Sequence, residues 1–274
     1  AIDLSNERFV VYVPSPAPDS RYGLLVFVPP WNDARIPAQW LAVLDKHALI
    51  FVTAAKSGND ANVLDRREPL ALLAAQNITD RYAIDPARVF VSGFSGGSRV
   101  ALRLALAYPD VFRGALLEAG SDPIGTAQIP LPRADLFSRF QENSRIVYLT
   151  GRDDREHLDQ DAASIRSLRT WCAAGSETQT VPFTAHDVVD ATAFDKALTA
   201  LTSPPSRVGV DQLGACRKKI DDQIASKSLE IETALSNGRL ADARAALIDL
   251  DTKFGGLASR PLLELQQKID AARP

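Results

Sequence analysis

The sequence predicts an α/β protein: a mostly parallel sheet of about seven strands flanked by helices, with a small all-helical C-terminal appendage. Three observations carry this. Seven short apolar, β-rich segments punctuate the first two-thirds of the chain, at residues 9–14, 24–29, 49–54, 88–92, 114–119, 145–150 and 178–184. Helical stretches at 36–47, 68–82, 98–107, 134–140, 160–174 and 191–201 alternate with them, which is the signature of a parallel sheet covered on both faces. The strand segments are apolar almost throughout rather than alternating, as strands buried on both sides are. The strand signal then stops at a break rich in proline and serine, Thr202-Ser203-Pro204-Pro205-Ser206.

That break divides the chain into an expected main domain, 1–205, and a helical domain, 206–274. In the latter, Leu213, Ile220, Ile224, Leu229 and Ile231 mark a first helix and Asn237-Gly238 a turn. Ala243, Ala246, Leu247 and Leu250 recur at helical spacing in 240–254, Gly255-Gly256 ends that segment, and Pro261 opens a third helix carrying Leu263, Leu265 and Ile269. The pattern loosely resembles one and a half tetratricopeptide-type hairpins. So few repeats are not stable alone, so the appendage should dock on the main body or on a protein partner.

With 274 residues the chain can bury a sizeable core. Its formal net charge of −3 shows neither a nucleic-acid footprint nor a polybasic membrane patch. No apolar run approaches the roughly 18 residues of a membrane span. The three histidines form no cluster in sequence and the two cysteines no metal spacing, so no metal is expected. Cys172 and Cys216 are either a disulfide stapling the appendage to the body or two buried thiols. Asn77-Ile78-Thr79 matches a glycosylation triplet of a kind frequent by chance. A chain that begins at Ala1 and contains no methionine fits the mature form of an exported protein, periplasmic or secreted, although a trimmed chain fits as well.

The chemistry is concentrated in Arg88-Val89-Phe90-Val91-Ser92-Gly93-Phe94-Ser95-Gly96-Gly97-Ser98-Arg99. This reads as a buried-type strand, then G-x-S-x-G, then an apolar helix, the context a nucleophile elbow requires. Ser95 would sit on the strand-to-helix turn, with Gly93 and Gly97 giving room for close backbone approach. A serine hydroxyl is a weak nucleophile and needs a base, which in turn needs an orienting acid. In this architecture the order is Ser, acid, His. His186 follows the last strand segment and so lies at the same sheet edge as Ser95. His47 falls at the opposite edge and reads as a surface or capping residue, and His157 reads as a rim residue. The acid should follow the preceding strand, in Gly151-Arg152-Asp153-Asp154. A sharp turn at Gly151 favours Asp154 over Asp153, with Asp122 a distant third. The two oxyanion donors should be the backbone N–H of Gly96 and one from the loop Pro29-Pro30-Trp31-Asn32. Proline lacks an N–H, so Trp31 is the nearest donor, with Asn32 as the alternative. Trp31 and Phe94 are also candidate substrate-binding residues; the indole of Trp31 either walls an acyl or aryl pocket or packs in the core.

Two further stretches carry a resemblance. Asp80-Arg81-Tyr82-Ala83-Ile84-Asp85-Pro86-Ala87-Arg88-Val89 leads into the elbow strand, and Ala107-Tyr108-Pro109-Asp110-Val111-Phe112 closes the next helix. Together with the elbow, Gly151-x-x-Asp154 and the late His186, they resemble the poly(3-hydroxybutyrate) depolymerase and feruloyl esterase branch of the α/β-hydrolases, over about residues 9–200. The resemblance implies a Ser95–His186–Asp154 triad with no metal and no organic cofactor, acting on a small-molecule or polymer-borne ester. The chain departs from that branch in having Pro29-Pro30 where His-Gly is usual, and Phe183-Thr184-Ala185-His186 where Gly-x-Gly-His is usual. The expected function is a serine carboxylic-ester hydrolase for short acyl, hydroxyacyl or aryl esters. The segment 121–133 is its only obvious cap. The alternative is a fold retained for binding, whose helical tail recruits a protein partner.

Overall fold

A computed structural model describes residues 2–173, 175–204 and 210–272. Seven strands form one sheet: β1 (Phe9–Tyr12), β2 (Tyr22–Val28), β3 (Leu49–Ala54), β4 (Ile84–Phe94), β5 (Gly114–Glu118), β6 (Arg145–Gly151) and β7 (Ser176–Val181). Their order is β1-β3-β2-β4-β5-β6-β7. Only β1 runs antiparallel to its neighbour; the other pairs are parallel. Each strand falls on a segment expected from sequence. The largest displacement is at β4, which begins at Ile84 because Ile84 pairs with Tyr22 before a register irregularity.

The crossovers supply α1 (Leu41–Lys46), α2 (Glu68–Arg81), α3 (Gly96–Ala107), α4 (Ala134–Asn143), α5 (Arg155–Thr170) and α6 (Ala191–Thr202). A π turn, Val63–Arg67, leads into α2. Helix α5 starts five residues before its expected position, since its first turn is polar and shows no apolar stripe. Its expected end, Ala174, lies outside the described residues.

Side-chain alternation along the strands divides the core in two. Leu24, Val26 and Val28 point to one face, where α2, α3, α4 and Leu168 of α5 pack. Leu25 and Phe27 point to the other, under Trp40, Leu44 of α1, and Phe194 and Leu198 of α6. The rings of Trp40 and Phe194 stack there at 4.1 Å. Full burial of both faces explains the unbroken apolar runs of β2, β3, β5 and β6; the edge strands β1 and β7 are partly exposed, and β7 is largely polar.

Three further helices follow: α7 (Val210–Ser236), α8 (Leu240–Phe254) and α9 (Ser259–Ala271). The α7–α8 turn uses Gly238 in the left-handed region, at φ 70°. The expected boundary at 205/206 lies outside the described residues. The helices dock on the body: Ile220, Ile231, Leu250 and Phe254 share a continuous core with Leu131, Phe137 and Trp171. Arg217 on α7 donates to Gln141 Oε1 (2.7 Å), Glu142 Oε1 (2.9 Å) and Ser138 O (3.1 Å) on α4. Of the two readings left open for the cysteines, the structure holds the disulfide Cys172–Cys216.

The segment 121–133, expected as a cap, is tied to this joint. Its Ile124, Ile129 and Leu131 are buried in the shared core. The Gly256 N–H donates to Leu131 O at 2.9 Å, and Gly256 approaches Pro132 so closely that a Cβ would lie 2.5 Å from its carbonyl carbon. No described helix is long and apolar enough to cross a membrane.

The disulfide spans 44 residues, for which loop-closure entropy alone gives about 4 kcal/mol as an upper figure. Cys172→Ser with Cys216→Ser is expected to lower the urea midpoint markedly. An unchanged midpoint would show that the packing of α7–α9 holds the joint without the bridge.

Candidate active site

Strand β4 ends at Phe94 and α3 begins at Gly96, so Ser95 alone makes the turn. It does so at φ 55°, ψ −123°, a conformation that strains a residue with a Cβ. The surroundings over-determine it. The Ser95 N–H donates to Glu118 O of β5 at 2.8 Å. A Cβ on Gly97 would lie 1.9 Å from Val28 O, and one on Gly93 would lie 2.3 Å from the Gly97 carbonyl. The turn therefore closes only with glycine at both positions. Ser98 Oγ also donates to Gly120 O, tying the first turn of α3 to the loop after β5.

His186 lies on the loop between β7 and α6, with its side chain partly exposed. Its Nε2 is 3.0 Å from Ser95 Oγ, and its Nδ1 is 2.7 Å from Asp154 Oδ2. The loop is gripped at Val189 twice, from the face of the sheet that α1 and α6 cover. The Val189 N–H donates to Glu118 Oε1 (2.8 Å), and its carbonyl accepts from Trp40 Nε1 (3.0 Å). The acid turn touches this loop directly. A Cβ on Gly151 would lie 2.2 Å from Thr184 O, and the Asp153 N–H donates to Thr184 O at 3.0 Å. The Asp154 N–H folds back on Gly151 O at 3.2 Å, which turns the Asp154 side chain inward while Asp153 stays exposed.

Asp154 has a second partner. His157, one turn into α5, places Nδ1 2.7 Å from Asp154 Oδ1, and its ring stacks on that of His186 at 4.2 Å. Burial opposes the charge on Asp154, but hydrogen bonds from His157 and His186 and the pull of both rings outweigh it and hold the carboxyl below its ordinary range. His157 is thus not a rim residue. Spacing from Asp154 gave i, i+3 proximity, but the stacking on His186 depends on a loop 29 positions later in the sequence. Beneath them, the buried Asp161 accepts from Ser121 Oγ (2.7 Å) and Thr150 Oγ1 (2.5 Å), and burial pushes it up to about 6.

Asp154, His157 and His186 are the donor types a transition-metal ion takes, and one ligand atom from each lies within 4.8 Å of the others. The geometry does not suit an ion. The two rings are stacked and only 17° from parallel, so an ion in the plane of one ring is out of plane for the other.

The remaining residues expected at the site are placed as follows. Gly96 opens α3 and carries the side-chain amide of Asn59 against its Cα. Trp31 lies half-buried on the loop after β2, its indole between the rings of Phe27 and Phe94 (both 6.1 Å) with the Arg35 guanidinium 4.4 Å above it. Phe94 is buried, and its ring supports His186 at 4.9 Å. The two alternative acids lie elsewhere: Asp153 in solvent, Asp122 paired with Arg99. His47 caps α1 and binds Asp195 Oδ1 at 2.7 Å, which makes it a half-buried link between α1 and α6 rather than a surface residue. Phe183, three residues before His186, is 96% exposed at the site's edge.

No protein-family model and no curated protein matches the sequence. Solved structures do match. A ferulic acid esterase aligns at TM-score 0.53 with 15% identity, over 72% of this chain and 90% of its own. A fluorophosphonate-binding serine hydrolase of Staphylococcus aureus, FphF, aligns at 0.54 with 12% identity, over 71% and 92%. The chain also spans 51% of the length of a thermostable esterase at TM-score 0.47 and 16% identity, with 64% of this chain covered. At these identities the likeness is one of fold. The chain has the α/β-hydrolase fold, in a form shared with esterases and serine hydrolases.

Glu118, the residue that holds both the elbow and the His186 loop, is fully buried. Burial raises it from 4.5 to about 8; the Val189 N–H works against the rise and the charge of Asp187 adds to it. The native state therefore keeps a proton that the unfolded chain releases, and this contribution to stability, complete below about pH 4.5, is lost as pH rises through about 8. Glu118→Gln should flatten the fall in unfolding free energy between about pH 5 and pH 8, measured in urea. Equal slopes for variant and wild type would contradict a protonated Glu118.

Proposed function

We propose that the protein is a serine carboxylic-ester hydrolase. The single observation that carries this reading is the unbroken line Ser95 Oγ–His186 Nε2 (3.0 Å) and His186 Nδ1–Asp154 Oδ2 (2.7 Å), mounted on a strained turn at the carboxyl edge of the sheet. His186 takes the Ser95 proton as Oγ attacks the ester carbonyl, and Asp154 steadies the imidazolium that forms. The N–H groups of Gly96 and Trp31 receive the tetrahedral oxyanion. His186 then protonates the departing alcohol. Water, deprotonated by the same imidazole, releases the acid and restores Ser95. Each step uses only groups of this chain, the ester and water.

Short acyl, hydroxyacyl or aryl esters of the feruloyl type suit the surroundings. Trp31 and Phe94 form an aromatic wall beside His186, and Phe183 offers an exposed apolar contact at the edge. The segment 121–133 is committed to the helical joint, which supports an accessible site open to a polymer-borne ester. The disulfide supports an exported, oxidising location.

Treatment with a fluorophosphonate should add one adduct to the intact mass of the wild type and none to Ser95→Ala. On p-nitrophenyl esters, Ser95→Ala and His186→Ala should each cost about 10³-fold or more in kcat. Asp154→Asn should cost less, and Asp153→Asn little. A folded wild type that takes no adduct and turns over no ester would sink the reading and favour a binding protein whose helices recruit a partner.

A further inference from the structure

The loop after β2 carries the Trp31 N–H but no regular structure of its own. Its carbonyls are held from one side by the loop after β3. Pro30 O accepts from the Asn59 N–H (3.0 Å) and Asn32 O from the Lys56 N–H (2.6 Å). The Asn32 amide accepts from Gly58 N (3.1 Å) and donates to Asp60 (3.1 Å). The remaining tie comes from a buried cation. Arg67, 3% exposed at the end of the π turn, donates from Nη2 to Pro29 O (2.9 Å) and from Nε to Ser57 O (3.0 Å).

Both hydrogen bonds of this guanidinium go to backbone carbonyls, not to a carboxylate. Burial lowers its pKa to about 10, with the charge of Asp60 acting in the other direction. Burying a cation this way is a costly means of filling space. What the rigid fork does is lock two loops to each other at fixed spacing. Those loops flank the position where an oxyanion would form. Pro29 is two residues before Trp31, and prolines restrict the backbone between. On the other side, the Asn59 amide packs on Gly96, where a Cβ would lie 2.2 Å from Asn59 Oδ1. A π turn, which commonly marks functional positions, is what delivers Arg67 to this place.

We propose that Arg67 is a positioning residue for the oxyanion donors, holding the Trp31 N–H and the Asn59 face of Gly96 in register with Ser95. The inference rests on the esterase reading above. It also assigns the work done in this chain at the Pro29-Pro30 turn to a side chain distant in sequence.

The test is Arg67→Lys, which keeps the charge but cannot reach both carbonyls, and Arg67→Gln, which keeps two N–H donors without the charge and serves if the lysine variant fails to fold. Arg103→Lys, altering the nearby Glu68 ion pair, is the control for a generic arginine-to-lysine change at a half-buried position. The readouts are kcat and KM on a p-nitrophenyl ester, affinity for an alkyl boronic acid that forms a tetrahedral adduct on Ser95, and the thermal midpoint. In the Arg67 variants, kcat should fall by about 10- to 100-fold with KM within about twofold, and boronate affinity should fall by the same factor as kcat. Arg103→Lys should change neither. Folded Arg67 variants with wild-type kcat and boronate affinity would overturn the inference, as would a loss carried in KM alone. If the wild type itself forms no boronate or fluorophosphonate adduct, the esterase reading fails first.

Discussion

The approach of Gly97 to the Val28 carbonyl is the constraint on which the rest of the site depends. It leaves no room for a side chain and so draws the start of α3 against the end of β2. With that contact made, the chain between β4 and α3 has one residue in which to reverse. Ser95 takes an unfavourable backbone conformation because every neighbour of it is already fixed. Sheet packing, not local propensity, supplies what the turn costs. Val26, Val28 and Val91 on one face and Leu25, Phe27 and Phe90 on the other anchor both strands through full burial.

The other partners of Ser95 are brought in by equally specific anchors. Glu118 joins the elbow and the His186 loop through its backbone and its side chain, and Trp40, on the same face of the sheet, reaches the same Val189. Gly151 lets the acid turn touch the His186 loop at Thr184 and Ala185. Positions at the ends of β4, β6 and β7 are thereby held relative to one another, with Glu118 of β5 between them, so the side chains need only short reach. Two imidazoles on one carboxylate follow from this crowding.

The parts legible in the sequence are those written in local pattern. The inner strands β2, β3, β5 and β6 announced themselves as apolar runs because both faces are covered, whereas the edge strand β7, Ser176–Val181, is polar and half-exposed. The elbow did so because Gly-x-Ser-x-Gly between a strand and a helix has a steric reason at each position. The placement of Asp154 beside His186 followed from Gly151 and the strand order. What local pattern missed is made by contacts across the fold. His157 reads as an ordinary helical residue until the β7–α6 loop stacks His186 on it. Arg67 sits in a charged stretch, Asp65-Arg66-Arg67-Glu68, that looks solvated, and only the π turn buries it. Glu118 ends an apolar strand with nothing nearby in sequence to say that Val189 meets it. The segment 121–133 reads as a cap because its proline and glycine content suggests a loop. Its isoleucines instead fill the joint with α7–α9.

The proposed ester hydrolysis requires that this geometry make Ser95 a nucleophile that forms an acyl-enzyme. Rapid mixing with a p-nitrophenyl ester, followed by acid quench and peptide mass analysis, tests it most directly. The prediction is a burst approaching one equivalent of p-nitrophenol, with the acyl group on the peptide that contains Ser95. A folded protein that releases p-nitrophenol without acylating Ser95, or releases none, would contradict the claim.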